Sequence, residues 1–369
     1  MLYLLDNLSK INADALGFFR IFGYITFRAG AAAATAFLLV AFFGPYTIRK
    51  LKKLNATAAC RYEGIMEEKY IDRSKDKTPS MGGILIIIAI TIACILWSDL
   101  SNPVASVLLA VTVSLALLGF TDDYIKIARQ NKDGISAKMK FSGQMLIATM
   151  GILFLYALPH DNAVPLQDLY VPFLKEPIFS SPWVLLLEIL VVVGASNAVN
   201  ITDGKDGLSS GCIIFSVGAY AIIAYLCGHK IFASYLFLPY IPSAGEALVF
   251  SSAIIGACGG FLWHNCNPAG MFMGDTGSLA LGGALGMLAV IVRQELLLIL
   301  IGGVFVMEIG SVMLQVPYFK LTHGKRIFLC TPIHHHFERK GWKENQIVVR
   351  FWILAAIFAL LGLATMKLR

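Results

Sequence analysis

Two adjacent carboxylates, Asp122 and Asp123, stand about one helical turn before a lysine, Lys126. Neighbouring side chains on a helix point about 100° apart, so we expect the two carboxylates to serve different purposes. One of them could meet a metal ion or a substrate while the other positions the lysine. The alternative is a solvated helix end with an ion pair to Lys126, and the pair taken alone leaves both hypotheses open.

Carboxylates also occur beside glycines in two further segments. Asp203 and Asp206 are three residues apart, so they share a face if the segment is helical, and the glycine after each lets the backbone approach a ligand closely. A polar turn between two spans is the alternative there. Asp275 lies in a Gly-Asp-x-Gly-Ser turn, which suits Mg²⁺ because this ion takes one or two carboxylates plus substrate phosphate oxygens. The alternative for Asp275 or Ser278 is a helix N-cap.

Three consecutive histidines, His334, His335 and His336, follow a proline and an isoleucine. On a helix they would splay around the axis, so they could not all bind one zinc ion. In an extended loop, His334 and His336 could face the same way. Charged imidazoles can contact phosphate and neutral ones can relay protons. The alternative is that these histidines are incidental surface residues.

The chain that carries these segments is too apolar for a water-soluble enzyme. Of its 369 residues, 57% are hydrophobic and 14% are charged, whereas soluble proteins carry about 25% charged residues. At about 20 residues per transmembrane helix, we predict an all-α, polytopic integral membrane protein with about ten spans and a single domain over residues 1–369. The apolar runs place the spans near 24–43, 81–98, 103–120, 141–158, 183–200, 211–228, 247–264, 278–292, 296–316 and 347–366.

Lysine and arginine are concentrated on the odd-numbered connections, where they outnumber those on the other side by about three to one, as is typical of cytoplasmic loops. We therefore predict cytoplasmic loops at about 44–80, 121–140, 200–210, 265–277 and 317–346, both termini on the periplasmic side, and an interfacial N-terminal segment at 1–22. All the polar clusters fall on the cytoplasmic side. The same rule explains the net charge of +7 without a nucleic-acid partner.

Carboxylates for Mg²⁺, lysines and histidines for phosphate oxygens, and glycine turns for close approach together indicate phosphoryl transfer at a membrane surface. The first cytoplasmic loop adds Lys75, Lys77 and Ser80 on the same side. A charged nucleotide substrate would come from the cytosol, and a second substrate could enter from the lipid bilayer.

Five motifs, taken in order, resemble those of the phospho-N-acetylmuramoyl-pentapeptide transferase family, within the polyprenyl-phosphate N-acetylhexosamine-1-phosphate transferase superfamily. They are Lys75-x-x-Thr-Pro-Ser-Met-Gly-Gly, Asp122-Asp123-Tyr-x-Lys126, Asn200-x-Thr-Asp203-Gly-x-Asp206-Gly, Phe272-Met-Gly-Asp275-x-Gly-Ser and Pro332-Ile-His334-His335-His336. The resemblance extends from about Tyr24 to the C-terminus.

The resemblance implies a bacterial inner-membrane enzyme of cell-wall biogenesis, usually dimeric, with its active site facing the cytoplasm. It implies transfer of phospho-MurNAc-pentapeptide from UDP-MurNAc-pentapeptide to undecaprenyl phosphate, which gives lipid I and UMP and requires Mg²⁺. The nearest alternative is a sister enzyme that transfers phospho-GlcNAc from UDP-GlcNAc. A secondary transporter is a more distant alternative.

The resemblance also implies roles for individual residues. Asp275 would be the Mg²⁺ ligand, and Asp122 and Asp123 would be the catalytic pair, with Asp122 the better candidate to deprotonate or orient the lipid phosphate. The phosphate and metal environment would include Asn265, His334 and His335. The two histidines are also catalytic candidates. The other substrate-binding candidates are Lys75 and Lys126 for phosphate, Asn200, Asp203 and Phe272 for uridine, and Ser80, Asp206 and His336. The family pattern has one further lysine in the predicted loop at about 121–140, and it corresponds to either Lys138 or Lys140.

The sequence departs from the family pattern at three positions. Lys77 stands where glycine is usual, and Ser80 stands where threonine is usual, which keeps the hydroxyl. Lys205 replaces an apolar residue between Asp203 and Asp206, a change that bears on the nucleotide contact.

Overall fold

The computed structural model describes residues 1–7, 16–54, 56, 75, 77–129, 134–158 and 166–368. Parts of the predicted interfacial segment 1–22 and of the predicted loops 44–80 and 121–140 lie outside these ranges. The α-helices are α1 (Ile25–Lys53), α2 (Gly83–Trp97), α3 (Pro103–Ala128), α4 (Ala137–Tyr156), α5 (Val184–Thr202), α6 (Leu208–Gly228), α7 (Lys230–Leu236), α8 (Gly245–Asn265), α9 (Gly274–Ile291), α10 (Leu298–Ile301), α11 (Gly303–Leu321), α12 (Ile333–Arg339) and α13 (Glu344–Thr365). Two short strands, β1 (Asp168–Leu169) and β2 (Phe179–Ser180), pair antiparallel between α4 and α5.

Nine helices in the described part of the chain are long and apolar enough to cross a membrane, which confirms the all-α, polytopic architecture. The remaining predicted span, 81–98, corresponds to α2, which is apolar but has only 15 residues and is therefore about 22 Å long. The helix is short because the backbone just before it and at its first residue makes hydrogen bonds to the segment that precedes α9. The backbone N–H groups of Gly82 and Gly83 donate to the carbonyls of Phe272 and Met273, at 2.8 and 2.9 Å.

Several helices continue past the apolar runs that predicted them. α3 extends to Ala128 although its apolar run ends near residue 120, and α9 begins at Gly274 rather than at 278. Hydropathy marks only the apolar stretch, whereas a helix continues wherever its backbone hydrogen bonds do. The predicted span 296–316 is divided at Gly302 into α10 and α11. Three of the carboxylates expected in loops, Asp122, Asp123 and Asp275, therefore lie near helix ends.

Helix α9 lies at the centre of the molecule, and all of its residues are buried. Glycines let it approach its neighbours closely. A Cβ at Gly282 would come within 2.5 Å of the carbonyl oxygen of Ala195 on α5, and one at Gly286 within 2.7 Å of the Cα of Val192. On α3, Gly119 lies directly against the backbone of Asp275. The contact at Gly119 fixes the first turn of α9 relative to α3.

Buried ion pairs join the helices at the end far from Asp275. Arg28 on α1 pairs with Glu246 on α8 at 2.7 Å. Arg293 pairs with Glu188 and with Glu295, and it donates to the carbonyl of Leu166 at 3.0 Å, which holds the segment before β1. Because these groups are paired with one another, we assign them a structural role.

Both termini lie at that same end of the helices. The N-terminal ammonium group donates to the carbonyl of Ile95 near the end of α2 at 2.7 Å. The described parts of the predicted interfacial segment form 3-10 helices at Leu2–Leu5 and Gly17–Gly23. Near the other terminus, the ammonium of Lys367 lies 3.6 Å from the ring centroid of Tyr235. The orientation of this end in the membrane stays a prediction.

Candidate active site

Three buried carboxylates meet where the end of α3 contacts the start of α9. Asp122 and Asp123 come from α3, and Asp275 comes from α9. One carboxylate oxygen from each lies within 4.8 Å of the others, and each residue is less than a tenth exposed. Oxygen ligands at this spacing suit a hard divalent cation such as Mg²⁺. We call these three residues the carboxylate cluster.

Asp123 caps helix α9. Its two carboxylate oxygens accept hydrogen bonds from the backbone N–H of Asp275 at 3.2 Å and of Thr276 at 2.9 Å, and from the Thr276 hydroxyl at 2.7 Å. The first N–H groups of a helix have no partner within it, and a carboxylate at that end also suits the helix dipole. The N-cap alternative for Asp275 or Ser278 is therefore wrong. Asp123 on α3 caps the helix instead of a residue of α9 itself. The Ser278 hydroxyl donates to the carbonyl of Gly274 within the helix.

Lysines from two helices neutralise the other two carboxylates. Lys126 contacts Asp122 at 2.5 Å and Asp275 at 3.1 Å, and Lys140 contacts Asp275 at 2.6 Å. Lys138 is exposed. Of the two lysines that the motif left open, Lys140 is therefore the one that the structure brings to the carboxylate cluster.

A cavity of about 730 Å³ opens beside Asp122. Its lining includes three cationic side chains, Lys126, Arg129 and Lys140, and the residues Gly134, Ile135, Ser136, Ala137 and Met139. Asp122 also accepts a hydrogen bond from the backbone N–H of Ile135 at 2.8 Å, which ties this lining to the carboxylate cluster. The arrangement gives a cationic entrance next to a carboxylate, which is suited to an anionic substrate.

The segment before α2 lies against the start of α9. The backbone N–H of Phe272 donates to the carbonyl of Pro79 at 2.8 Å, and Phe272 itself is partly buried. Ser80 is buried, and a Cβ at Gly274 would lie 3.1 Å from its hydroxyl oxygen and 2.7 Å from Asp123 Oδ2. Gly274 has φ +75°, which glycine adopts readily. This glycine therefore lets Ser80 and Asp123 approach the first turn of α9.

Residues 200–207, at the end of α5, connect the predicted motifs. Asn200 donates to Asp275 Oδ1 at 2.9 Å and to the Ser278 hydroxyl at 2.8 Å. At the other end, the N–H of Gly207 donates to Asn265 Oδ1 at 2.9 Å, and the amide of Asn265 donates to the carbonyl of Met271. Asn265 therefore joins the loop between α5 and α6 to the loop between α8 and α9.

Lys75 lies between two carboxylates. Its ammonium contacts Asp206 at 2.7 Å and Glu344 at 2.6 Å. Burial alone would lower the pKa of Lys75, but the two carboxylates outweigh it and raise the pKa, so the ammonium stays charged. Asp206 also accepts from the side-chain amide of Asn267 at 3.0 Å. Asp203 ends α5 on the same segment.

The three histidines lie on the short helix α12, where they point in different directions. His334 Nδ1 lies 3.0 Å from Glu308 Oε2, and a Cβ at Gly204 would come within 2.5 Å of His334 Nε2. His336 faces away, because its Nδ1 accepts from the backbone N–H of Leu329 at 3.1 Å. The structure therefore brings His334 and His335 to the segment 200–207 and leaves His336 aside.

His335 is paired with a carboxylate of its own helix. Its Nδ1 lies 2.8 Å from Glu338 Oε2, and the other oxygen of Glu338 accepts from Lys205 at 2.5 Å. Burial lowers the pKa of His335 to about 4, which keeps the ring neutral near pH 7. Burial opposes ionisation of Glu338, but the hydrogen bond from His335 and the charge of Lys205 lower its pKa to about 2.

The sequence alone did not single out several residues of the site. Glu338 follows His335 by three residues, a spacing that on a helix could have indicated the pair. Glu308, Glu344 and Thr276 carried no such signal, because the first two are remote from their partners in sequence and the third is an ordinary helix residue. In the sequence, Lys205 stands out only as a departure from the family pattern.

Comparison with known proteins adds an independent observation. Residues 104–293 match the family model described as "Glycosyl transferase family 4". The chain is 47% identical over 352 residues to phospho-N-acetylmuramoyl-pentapeptide-transferase of Desulfotalea psychrophila, covering 95% of this chain and 96% of that protein. It is 46% identical to the proteins of the same name from Syntrophus aciditrophicus, covering 95% and 96%, and Thermodesulfovibrio yellowstonii, covering 97% and 98%.

Proposed function

Because the chain belongs to the phospho-N-acetylmuramoyl-pentapeptide-transferase family, we propose that it transfers phospho-MurNAc-pentapeptide from UDP-MurNAc-pentapeptide to undecaprenyl phosphate. The products are lipid I and UMP, and the reaction is a membrane step of peptidoglycan synthesis. The observation that carries this proposal is the buried carboxylate cluster with its two lysines at the start of α9.

The residues of the carboxylate cluster fit a magnesium ion. They are hard oxygen donors that lie within 4.8 Å of one another, as the ligands of a hard divalent cation do. Asp275 would hold the ion, while Asp123 keeps its hydrogen bonds to the start of α9. When bound, Mg²⁺ supplies positive charge that polarises the diphosphate and stabilises the leaving phosphate.

The reaction brings two anions together, so the chain must neutralise their repulsion before attack. Lys126 and Lys140 are placed to do so, since their ammonium groups lie beside the carboxylates and line the cavity. Asp122 borders the same cavity, where it orients or deprotonates the attacking lipid phosphate. Lys75, together with His334 and His335 in the phosphate environment, stabilises charge that develops toward the UMP leaving group.

We propose direct in-line attack of the lipid phosphate on the β-phosphorus. The alternative is a two-step route through an aspartyl-phosphate on Asp122 or Asp123. A substrate that is chirally labelled at the β-phosphorus separates the two routes. Direct attack predicts inversion of configuration, and retention would rule it out.

The proposed setting is the bacterial inner membrane, with the site facing the cytoplasm and the chain forming a homodimer. The excess of basic residues on the odd-numbered connections supports this orientation. A cytoplasmic site would also be accessible to a water-soluble, charged nucleotide donor, while the lipid phosphate reaches the same site from the bilayer.

The substrate test measures UMP release by the detergent-purified protein with Mg²⁺ and undecaprenyl phosphate. UDP-MurNAc-pentapeptide and UDP-GlcNAc are offered in parallel. We expect turnover of the muramoyl substrate only. Turnover of UDP-GlcNAc alone would keep the phosphoryl-transfer chemistry but assign the chain to the sister activity, and release from neither by folded protein would contradict the proposal.

A further inference from the structure

Lys205 directs its side chain into the protein. It stands in the turn between α5 and α6, and only 9% of its side chain is exposed. Its ammonium donates to Glu338 Oε1 at 2.5 Å. Burying an ammonium is costly unless a counter-charge compensates it. Glu338 supplies that charge from a helix more than a hundred residues away in the sequence.

Glu338 in turn holds His335. Its second oxygen lies 2.8 Å from His335 Nδ1, and the imidazole is 4% exposed. Because the carboxylate accepts, the Nδ1 atom carries the proton in the neutral ring and the Nε2 atom carries the lone pair. Three groups from two separate segments thus form one series of hydrogen bonds, Lys205–Glu338–His335.

The neighbouring histidine has a carboxylate partner that needs no such support. His334 Nδ1 faces Glu308, and both side chains are almost completely buried, at 1% and 0% exposure. Glu338 is 24% exposed and lies on the short helix α12. A partly exposed carboxylate of this kind can rotate toward water, unless a second partner fixes it. Lys205 is that partner.

We infer that Lys205 is a positioning residue, which acts through Glu338 to fix the orientation and the tautomer of His335. The inference rests on the proposed function, in which His335 belongs to the phosphate environment of the transfer reaction. It gives Lys205 a role other than direct contact with the nucleotide. Partners that orient metal-ligating histidines typically contribute about tenfold or more, and we expect an effect of that order for a partner of His335.

The first test compares Lys205→Met, Lys205→Arg and the control Lys340→Met. Lys340 is exposed and lies two residues after Glu338, so its replacement removes a charge from the same region. We expect Lys205→Met to lower kcat about tenfold, with the KM for the UDP substrate changed less than about twofold. Lys205→Arg, which keeps a donor, should recover to within about threefold, and the control should match the wild type.

The second test repeats Lys205→Met in a Glu338→Gln background. If Lys205 acts only through Glu338, the double variant is no slower than Glu338→Gln alone. Additive losses, a higher KM with unchanged kcat, or an unaffected kcat in Lys205→Met would each overturn the inference. Thermal unfolding midpoints identify any variant that fails to fold. If Lys205→Met does not fold, kcat is compared between the wild type, Lys205→Arg and the double variant.

A spectroscopic measurement separates this inference from the proposed function. In protein labelled with ¹⁵N-histidine, the His335 signal, assigned by its loss in His335→Gln, should report the tautomer protonated at Nδ1. In Lys205→Met we expect a mixture of tautomers. If the wild type shows no transfer, the proposed function fails while this measurement still decides the role of Lys205. An identical His335 spectrum in Lys205→Met would contradict that role.

Discussion

At the scale of single residues, two side chains of the same type have different roles when they contact different partners. Asp122 and Asp123 are adjacent, yet Asp123 is bound to the start of α9 and Asp122 borders a cavity. Lys138 and Lys140 are two positions apart, yet only Lys140 contacts the carboxylate cluster. Side chains that differ by one or two positions on a helix point to different neighbours.

The two lysines give a matched prediction. Lys140→Met removes the ammonium that contacts Asp275 at 2.6 Å, so we expect transfer activity to fall at least about tenfold, because charge repulsion at the site is no longer neutralised. Lys138→Met removes an exposed charge from the same turn and should stay within about twofold of the wild type. The measurement is the initial rate of UMP release, and equal effects of the two substitutions would contradict the assignment.

The sequence, with the family resemblance, predicted the residues of this site and their general roles, but not which neighbours each side chain contacts. Five motifs and the excess of basic residues on one side were visible locally, so they indicated that the clusters lie together. The division of work between Asp122 and Asp123 depends on where α9 begins, and the pairing of Lys205 with Glu338 depends on the packing of α12. Neither the start of α9 nor the packing of α12 can be read from the local sequence. His336 turns away because α12 is helical, whereas an extended loop could have aligned it with His334.

At the scale of elements, the first turn of α9 determines the geometry of the site. It carries Asp275, receives its cap from Asp123 on α3, and accepts the close approach of Gly119. The span prediction placed this turn outside the helix because its residues are polar. Its exact start follows from a capping residue on another helix, which no local pattern specifies.

Removing the cap should destabilise the protein more than removing its neighbour. Asp123→Ala leaves three buried donors without their acceptor, so we expect the free energy of unfolding to fall by about 2 kcal/mol or more. Asp122→Ala removes the same charge, but only one of its partners is a backbone group and the cavity admits water. Thermal unfolding in detergent compares the two. A larger loss for Asp122→Ala would contradict the capping role.

The contact between α3 and α9 has its own test. A Cβ at Gly119 would lie only 2.5 Å from the carbonyl carbon of Asp275, so Gly119→Ala should move the two helices apart and cost about 1–3 kcal/mol of stability. Transfer activity should fall as well, because Asp275 moves with the backbone. Gly30→Ala on α1 is the control, since nothing lies within 4 Å of that position. Equal unfolding midpoints for both variants would rule out this close approach.

At the scale of the whole molecule, the polar groups divide between the two ends of the helices. The carboxylate cluster, the histidines and Lys75 occupy one end, while the termini and the ion pair of Arg28 with Glu246 occupy the other. A transporter would need a central polar pathway, which this division does not favour. The separation suits an enzyme that receives a water-soluble donor at one membrane surface.

This division predicts the result of a labelling experiment in intact cells. Cys266, which is exposed, follows α8 at the site end, and Lys230 is exposed at the opposite end. A membrane-impermeant maleimide should label Lys230→Cys in intact cells and reach native Cys266 only after permeabilisation. Cys266→Ser identifies the native signal. Labelling of Cys266 in intact cells would reverse the predicted orientation.

On the proposed function, the carboxylate cluster supports Mg²⁺-dependent phosphoryl transfer. The most direct measurement is UMP release from UDP-MurNAc-pentapeptide and undecaprenyl phosphate across a Mg²⁺ titration after chelation, with wild type beside Asp275→Asn. We predict that chelation abolishes turnover, that Mg²⁺ restores it, and that Asp275→Asn lowers the maximal rate at least about a hundredfold. Turnover that survives chelation, or a folded Asp275→Asn variant with wild-type activity, would contradict the account.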